Sequence, residues 1–160
     1  MLRSILNTVK RVFFTLLILL PAALFCAFGP GMGEKEWLDW SNKCLTDSYN
    51  PTKEAKLKKW EISITPEHFI HFRKTYQHGK QLYYSLDLKQ LDTLNYQETP
   101  VGGELNFKTL HDDIIVQTYD DPKGNIDSMS TELSIPVKGL SPERLDSLND
   151  AIKYFKEQKL

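Results

Sequence analysis

Hydrophobic side chains follow three rhythms along this chain, and each predicts a different element. The first is continuous. From Val12 to Gly29 the run VFFTLLILLPAALFCAFG carries no charged residue, and Thr15 is its only hydrogen-bonding side chain. As a helix these 18 residues would reach about 27 Å, enough for a hydrocarbon core. The second rhythm is alternation: in Lys59 to Ile64 the side chains of Trp60, Ile62 and Ile64 fall on every second position, which predicts a half-buried strand. Thr65-Pro66 closes it, because proline cannot donate to a ladder. The third is helical, with Leu145, Leu148, Ile152 and Phe155 forming one stripe. Ser141 is placed to cap that helix, Pro142 suits its first turn, and Glu143 lies at the positive end of its dipole.

Alternation also fixes a register. Strands at about Phe69 to Tyr76 and Lys80 to Leu88 are joined by Gln77-His78-Gly79. A three-residue loop with Gly79 in the left-handed region sets Tyr76 opposite Lys80, Phe72 opposite Tyr84 and Ile70 opposite Leu86, collecting the apolar side chains on one face. A two-residue loop would mix Ile70 and Phe72 with Tyr83, Ser85 and Asp87. A slip of one residue exchanges the faces, so the pattern selects the longer loop. The opposite face then pairs Arg73 with Tyr83, His71 with Ser85 and Phe69 with Asp87.

Elsewhere the pattern is coarser. Trp37, Trp40, Ser41, Cys44, Leu45 and Ser48 predict a short helix ended by Asn50-Pro51. Its tryptophans suit a membrane interface as well as a core. Leu88, Leu91 and Leu94 fit one helical turn or an irregular strand. Thr99 to Gly103 reads as a loop, and Glu104 to Thr109 as a strand with Leu105 and Phe107 inward. Ile114 to Asp120 and Asn125 to Ile135 read as a second hairpin around Asp121-Pro122-Lys123-Gly124. Its faces do not sort: Ile114, Ile115, Val116, Met129, Leu133 and Ile135 include both parities, predicting cover on both sides or a bulge. The expected architecture is α+β: an N-terminal membrane segment, a short helix, about six mostly antiparallel strands, and a C-terminal helix packed on the sheet. There is no internal repeat and no low-complexity tract.

Charge gives the chain an address. Arg3, Lys10 and Arg11 precede the hydrophobic run, while Glu34, Lys35 and Glu36 follow it, so the basic end is expected to stay cytoplasmic. Two organisations fit: a retained single-pass anchor with the C-terminal domain on the non-cytoplasmic side, or a cleaved signal that leaves a secreted or periplasmic domain. Residues 1–33 form the signal-anchor or signal peptide, with the joint G-P-G-M-G at Gly29 to Gly33, and residues 34–160 form a single exported domain. Phe25 before Cys26 disfavours lipid attachment there, leaving Cys44 as the exported domain's lone cysteine, without a disulfide framework. The whole chain has 20 basic and 21 acidic side chains; without the leading cations the domain is mildly acidic, so nucleic acid is not an expected partner. The cluster Lys53, Lys56, Lys58 and Lys59, diluted by Glu54, reads as a solvated face with some attraction to anionic headgroups.

Candidate chemistry is thin. The sequence has no Gly-rich phosphate loop, nucleophile elbow, paired-cysteine zinc spacing or zinc-protease helix. His68 and His71 would share a metal only on a helix, and here they fall in strand context. Asp120 to Asp127 resembles a calcium loop but lacks its alternation and distant glutamate. His111-Asp112-Asp113 reads as a solvated turn. No catalytic residue, metal or cofactor is predicted. The expected function is a membrane-targeted envelope protein with an exported binding domain, of the kind of an immunity-type inhibitor or an accessory subunit of a membrane complex. The alternative is a small envelope enzyme whose site assembles only in three dimensions, in a pocket gathering His71, His111 or Asp113. The expected contacts are a protein partner at His71, Arg73, Tyr83 and Ser85, and the membrane through residues 12–29. Arg and Tyr most often carry interface energy. A wet face, or one covered by the Trp37 helix, is the competing reading of that surface.

Overall fold

The computed structural model describes residues 32–158. Along the chain run α1 (Glu34–Ser48), β1 (Leu57–Ile64), β2 (Phe69–Tyr76), β3 (Gln81–Asp87), β4 (Leu91–Thr99), β5 (Gly102–Thr109), β6 (Ile114–Tyr119), β7 (Asp127–Ser130), β8 (Glu132–Val137) and α2 (Pro142–Glu157). The protein is α+β, with two helices and eight strands in two antiparallel sheets among the described residues. The expected membrane segment, residues 12–29, lies outside the described residues. Within them no helix is long and apolar enough to cross a membrane.

Acidic Glu34 and Glu36 open α1, and Ser41, Cys44, Leu45 and Ser48 form its buried stripe. Trp37 and Trp40 meet edge to face at 6.2 Å and pack, partly buried, against the core. The helix ends before Pro51 because Asn50 turns the chain, its side-chain oxygen accepting from Thr52 N at 3.3 Å to cap a 3₁₀ turn over Pro51–Lys53.

β1, β2, β3, β6 and β7 lie side by side in that order. The β2–β3 register is the expected one, with Ile70 opposite Leu86, Phe72 opposite Tyr84, and Arg73 opposite Tyr83. Gly79 takes φ +89° and donates to Tyr76 O at 3.0 Å, while Tyr76 N donates to Lys80 O at 2.9 Å, closing the three-residue loop. Ile62, Ile64, Ile70, Phe72, Leu86 and Ile114 point inward and are buried. β6 enters beside β3, and the two hairpin tips are tied by a Lys80–Asp121 ion pair at 2.6 Å.

The second sheet has the order β4-β5-β8. A single 3₁₀ turn, Leu88–Gln90, carries the chain into it, so the three leucines belong first to a turn and then to a strand. The expected loop over Thr99 to Gly103 is corrected: Thr99 pairs with Gly102, and Pro100-Val101 alone make the turn. Gly102 is required there, because its φ is +132° and a Cβ on it would run into the Val137 carbonyl. The expected strand from Asn125 to Ile135 is also corrected. It divides at Thr131, whose carbonyl accepts from Thr109 N at 3.0 Å; β7 pairs with β6 in one sheet and β8 with β5 in the other. That division, and not a two-sided cover, explains the mixed parity: Ile114 and Ile135 face the core, whereas Ile115 and Met129 oppose each other on the outer face.

Leu148, Ala151, Ile152 and Phe155 bury the face of α2, and Ser141 caps it by accepting from Arg144 N. Together with Cys44 and Leu45 of α1 and the inward side chains of both sheets, they form one core. Asn42 seals the end of β1, donating to Ile64 O at 3.0 Å and accepting from Ile64 N at 2.6 Å. That bond holds α1 against the β1 edge.

Candidate protein-binding face

Odd-numbered side chains of β1, β2 and β3 leave the core together, and antiparallel pairing extends them into rows across the five-stranded sheet. One row reads Glu61, Arg73, Tyr83, Gln117, Asp127. The adjacent row reads Ser63, His71, Ser85, Ile115, Met129. Arg73 is exposed and its guanidinium carbon stands 5.1 Å from the centre of the Tyr83 ring, a cation–π contact. His71 lies 5.6 Å from the same ring and 6.2 Å from Phe69. The structure thus brings His71, Arg73, Tyr83 and Ser85 onto one surface. Ser85 is itself buried between its neighbours in the row and supplies little contact area.

Electrostatics set this face apart. Glu61, directly across from Arg73, is taken by Lys59 at 2.7 Å, and among the described residues no carboxylate lies within ion-pair distance of Arg73. Burial and, next, the Arg73 charge hold the His71 imidazole below the ordinary histidine value, with Glu67 acting the other way. At neutral pH His71 is therefore an uncharged aromatic donor and acceptor beside a cation.

The sequence reading missed the apolar half of the surface. Ile115, Tyr119 and Met129 share this face, at 36%, 40% and 51% exposure, and Ile126 beside them reaches 54%. These are four of the six exposed large hydrophobic residues described. Their signal was present as the parity that failed to sort: an apolar residue out of phase with the core points outward.

Beneath the face, Lys74 breaks the apolar series of β2. Its ammonium is buried, pairs with Glu54 at 2.5 Å, and stands 5.1 Å and 5.7 Å from the Phe72 and Tyr84 rings. Tyr76 OH donates to the second Glu54 oxygen at 3.1 Å. Burial, then the Glu54 charge and this bond, push the Tyr76 phenol up to about 12. Glu54 thus turns inward and does not dilute the exposed lysines beside it.

The remaining candidates resolve into structure. His68 belongs to the turn before β2, at φ +65°, with Nε2 3.2 Å from Glu34 and its ring 5.2 Å from Phe155. Asp121 organises its own loop, accepting from Lys123 N at 3.0 Å, and the Lys80 hydrogen bond first, then that backbone bond, lower its carboxyl. His111 accepts from Asp113 N and Thr109 Oγ1 in a tight turn. Cys44 is buried, as its helical position predicted. Cavities of about 320 and 360 Å³ open beside Glu54 and between β4 and α2, and neither is lined by His71, His111 or Asp113. Among the described residues no group of three or more His, Cys, Asp or Glu side chains is placed to hold a metal ion. No family model, curated protein or solved structure matches this chain.

Proposed function

We propose that this chain is a membrane-targeted envelope protein whose exported domain binds a protein partner through the outer face of its five-stranded sheet. The observation that carries the reading is Arg73, stacked on Tyr83 without an ion pair, beside the exposed apolar pair Ile115 and Met129, with Tyr119 farther along β6 and both helices packed on the core side. Aromatic and arginine anchors on a stiff surface lose little entropy on binding, and exposed apolar patches of this kind mark interaction sites. The address rests on residues 12–29 and their basic flank.

A photo-crosslinking residue placed at Tyr83 or Ile115 in the full-length chain, in its native membrane, is expected to give a discrete protein adduct. The same residue at the exposed Gln97 of the three-stranded sheet is expected to give none. Equal adducts from both sheets, or none from the first, overturn the assignment.

A further inference from the structure

The charged row across the outer face has an internal symmetry. About the seam between β3 and β6, Arg73 on β2 and Asp127 on β7 lie equally far to either side, with opposite charge. Asp127 receives Gln117 Nε2 at 3.2 Å, and among the described residues no cation lies within ion-pair distance of it, just as Arg73 has no carboxylate. Arg73 feels Glu61 only through space, because Lys59 holds that carboxylate, so each of the two charges is free to take the ion pair that the other would supply. From this we infer that the occupant of the face is a second copy of this chain, packed sheet against sheet about a two-fold axis along that seam. The inference rests on the reading of this face as a binding surface.

A two-fold axis there reverses the order of strands, so the outward side chains of β2 and β3 meet those of β7 and β6, and β1 lies outside the overlap. Arg73 meets Asp127 of the copy, twice over. Tyr83 meets Gln117, and Gln81 meets Tyr119, each pairing a phenol with an amide. Ser85 meets Ile115, and His71 meets Met129, an imidazole against a thioether. An axis on β3 itself would oppose Glu61 to Asp127, like charge to like, so the charges select the seam. Two twisted sheets pack about 10 Å apart at roughly 30°, a spacing that long side chains bridge. Four overlapping strands about 4.8 Å apart and four rows about 6.8 Å apart give a footprint of roughly 500 Å². A standard interface buries about 800 Å² per partner, so the expected dimer is weak and concentration-dependent.

Sedimentation equilibrium of the full-length chain in density-matched mild detergent tests this. The wild type is expected to associate to dimers as its concentration rises. Arg73→Asp and Asp127→Arg are each expected to weaken dimerisation about tenfold or more, and the double exchange to recover most of it. If a reversal disturbs folding, seen by circular dichroism, the neutral pair Arg73→Gln and Asp127→Asn replaces it; each should weaken association, and the two together no more than either alone. A wild type monomeric at every concentration, or no coupling between the two positions in either pair, overturns the inference. Crosslinks from Tyr83 to a different protein, with the chain monomeric, would sink the second copy and leave the binding face standing.

Discussion

Lys74 and Arg73 are neighbours on β2, and they build the same assembly on opposite faces of one sheet. Each sets a cation against aromatic rings: Lys74 against Phe72 and Tyr84, Arg73 against Tyr83. The inner assembly is closed, because Glu54 supplies the counter-charge and Tyr76 satisfies the second carboxylate oxygen. The outer one is open. A cation completed from within its own chain is explained by folding, since an unpaired buried charge would cost several kcal/mol. A cation held in position by a ring, and facing a carboxylate that a lysine already holds, is explained by something outside the fold.

Breaking each assembly in turn gives the largest contrast. Glu54→Ala leaves Lys74 buried without a partner and is expected to cost about 3 kcal/mol or more, lowering Tm by roughly 10 °C, with little change in association through the outer face. Arg73→Ala with Tyr83→Ala should do the reverse, shifting stability by less than about 1 kcal/mol while weakening association. Thermal melts and crosslinking yield from Ile115 read the two effects. Equal destabilisation by both changes would make the outer assembly a packing device.

Alkali should open the inner assembly without touching the outer one. The Tyr76 phenol is raised to about 12 by burial first and by Glu54 next. A raised phenol favours folding while it stays protonated, so its contribution is intact below the unfolded tyrosine value of about 10 and is lost as pH rises through the folded value. Melting temperatures measured from pH 8 upward should therefore fall more steeply in the wild type than in Tyr76→Phe. Burial likewise raises Tyr49 and Tyr84, so a residual slope remains in the variant. Parallel curves would mean that Tyr76 ionises without disturbing the fold.

How much of this was legible depended on whether a signal was local. The register of β2 and β3 was readable because Gly79 and the apolar positions on both strands lie within one hairpin, where a slip exposes the whole core face. The α2 cap and stripe were readable for the same reason. The Pro100-Val101 turn was hidden by Gly102 and Gly103, which look like loop residues; Gly102 is needed because its φ is positive and the Val137 carbonyl of β8 crowds its Cβ position, a contact from a strand far along the chain. Lys74 at an inward position needs Glu54, from an irregular segment that no periodicity announces. The division at Thr131 was not visible because a period-two reading assigns one buried face to each strand, whereas residues 127–137 serve two sheets. Of the candidate face, Arg73, Tyr83, His71 and Ser85 followed from register alone. Ile115 and Met129 required knowing where the sheet turned its core.

The smallest effect is the most specific to the outer assembly, because it is read at a single ring. His71 stands next to Arg73 on β2, on the same outward face, and it is held below the ordinary histidine value of 6.5, first by burial, then by the Arg73 charge, and partly restored by Glu67. A depressed imidazole favours folding while neutral, so its contribution is present above the unfolded value and is lost as pH falls through the folded one. Arg73→Ala removes the second cause and leaves the first. The His71 midpoint, followed by its ring nitrogen resonances, should therefore rise in that variant yet stay below the ordinary value. Glu67→Gln should lower it. If the midpoint does not move when Arg73 is removed, the guanidinium is not held beside the imidazole in solution, and the open assembly at Tyr83 loses the rigidity that distinguishes it from a wet surface.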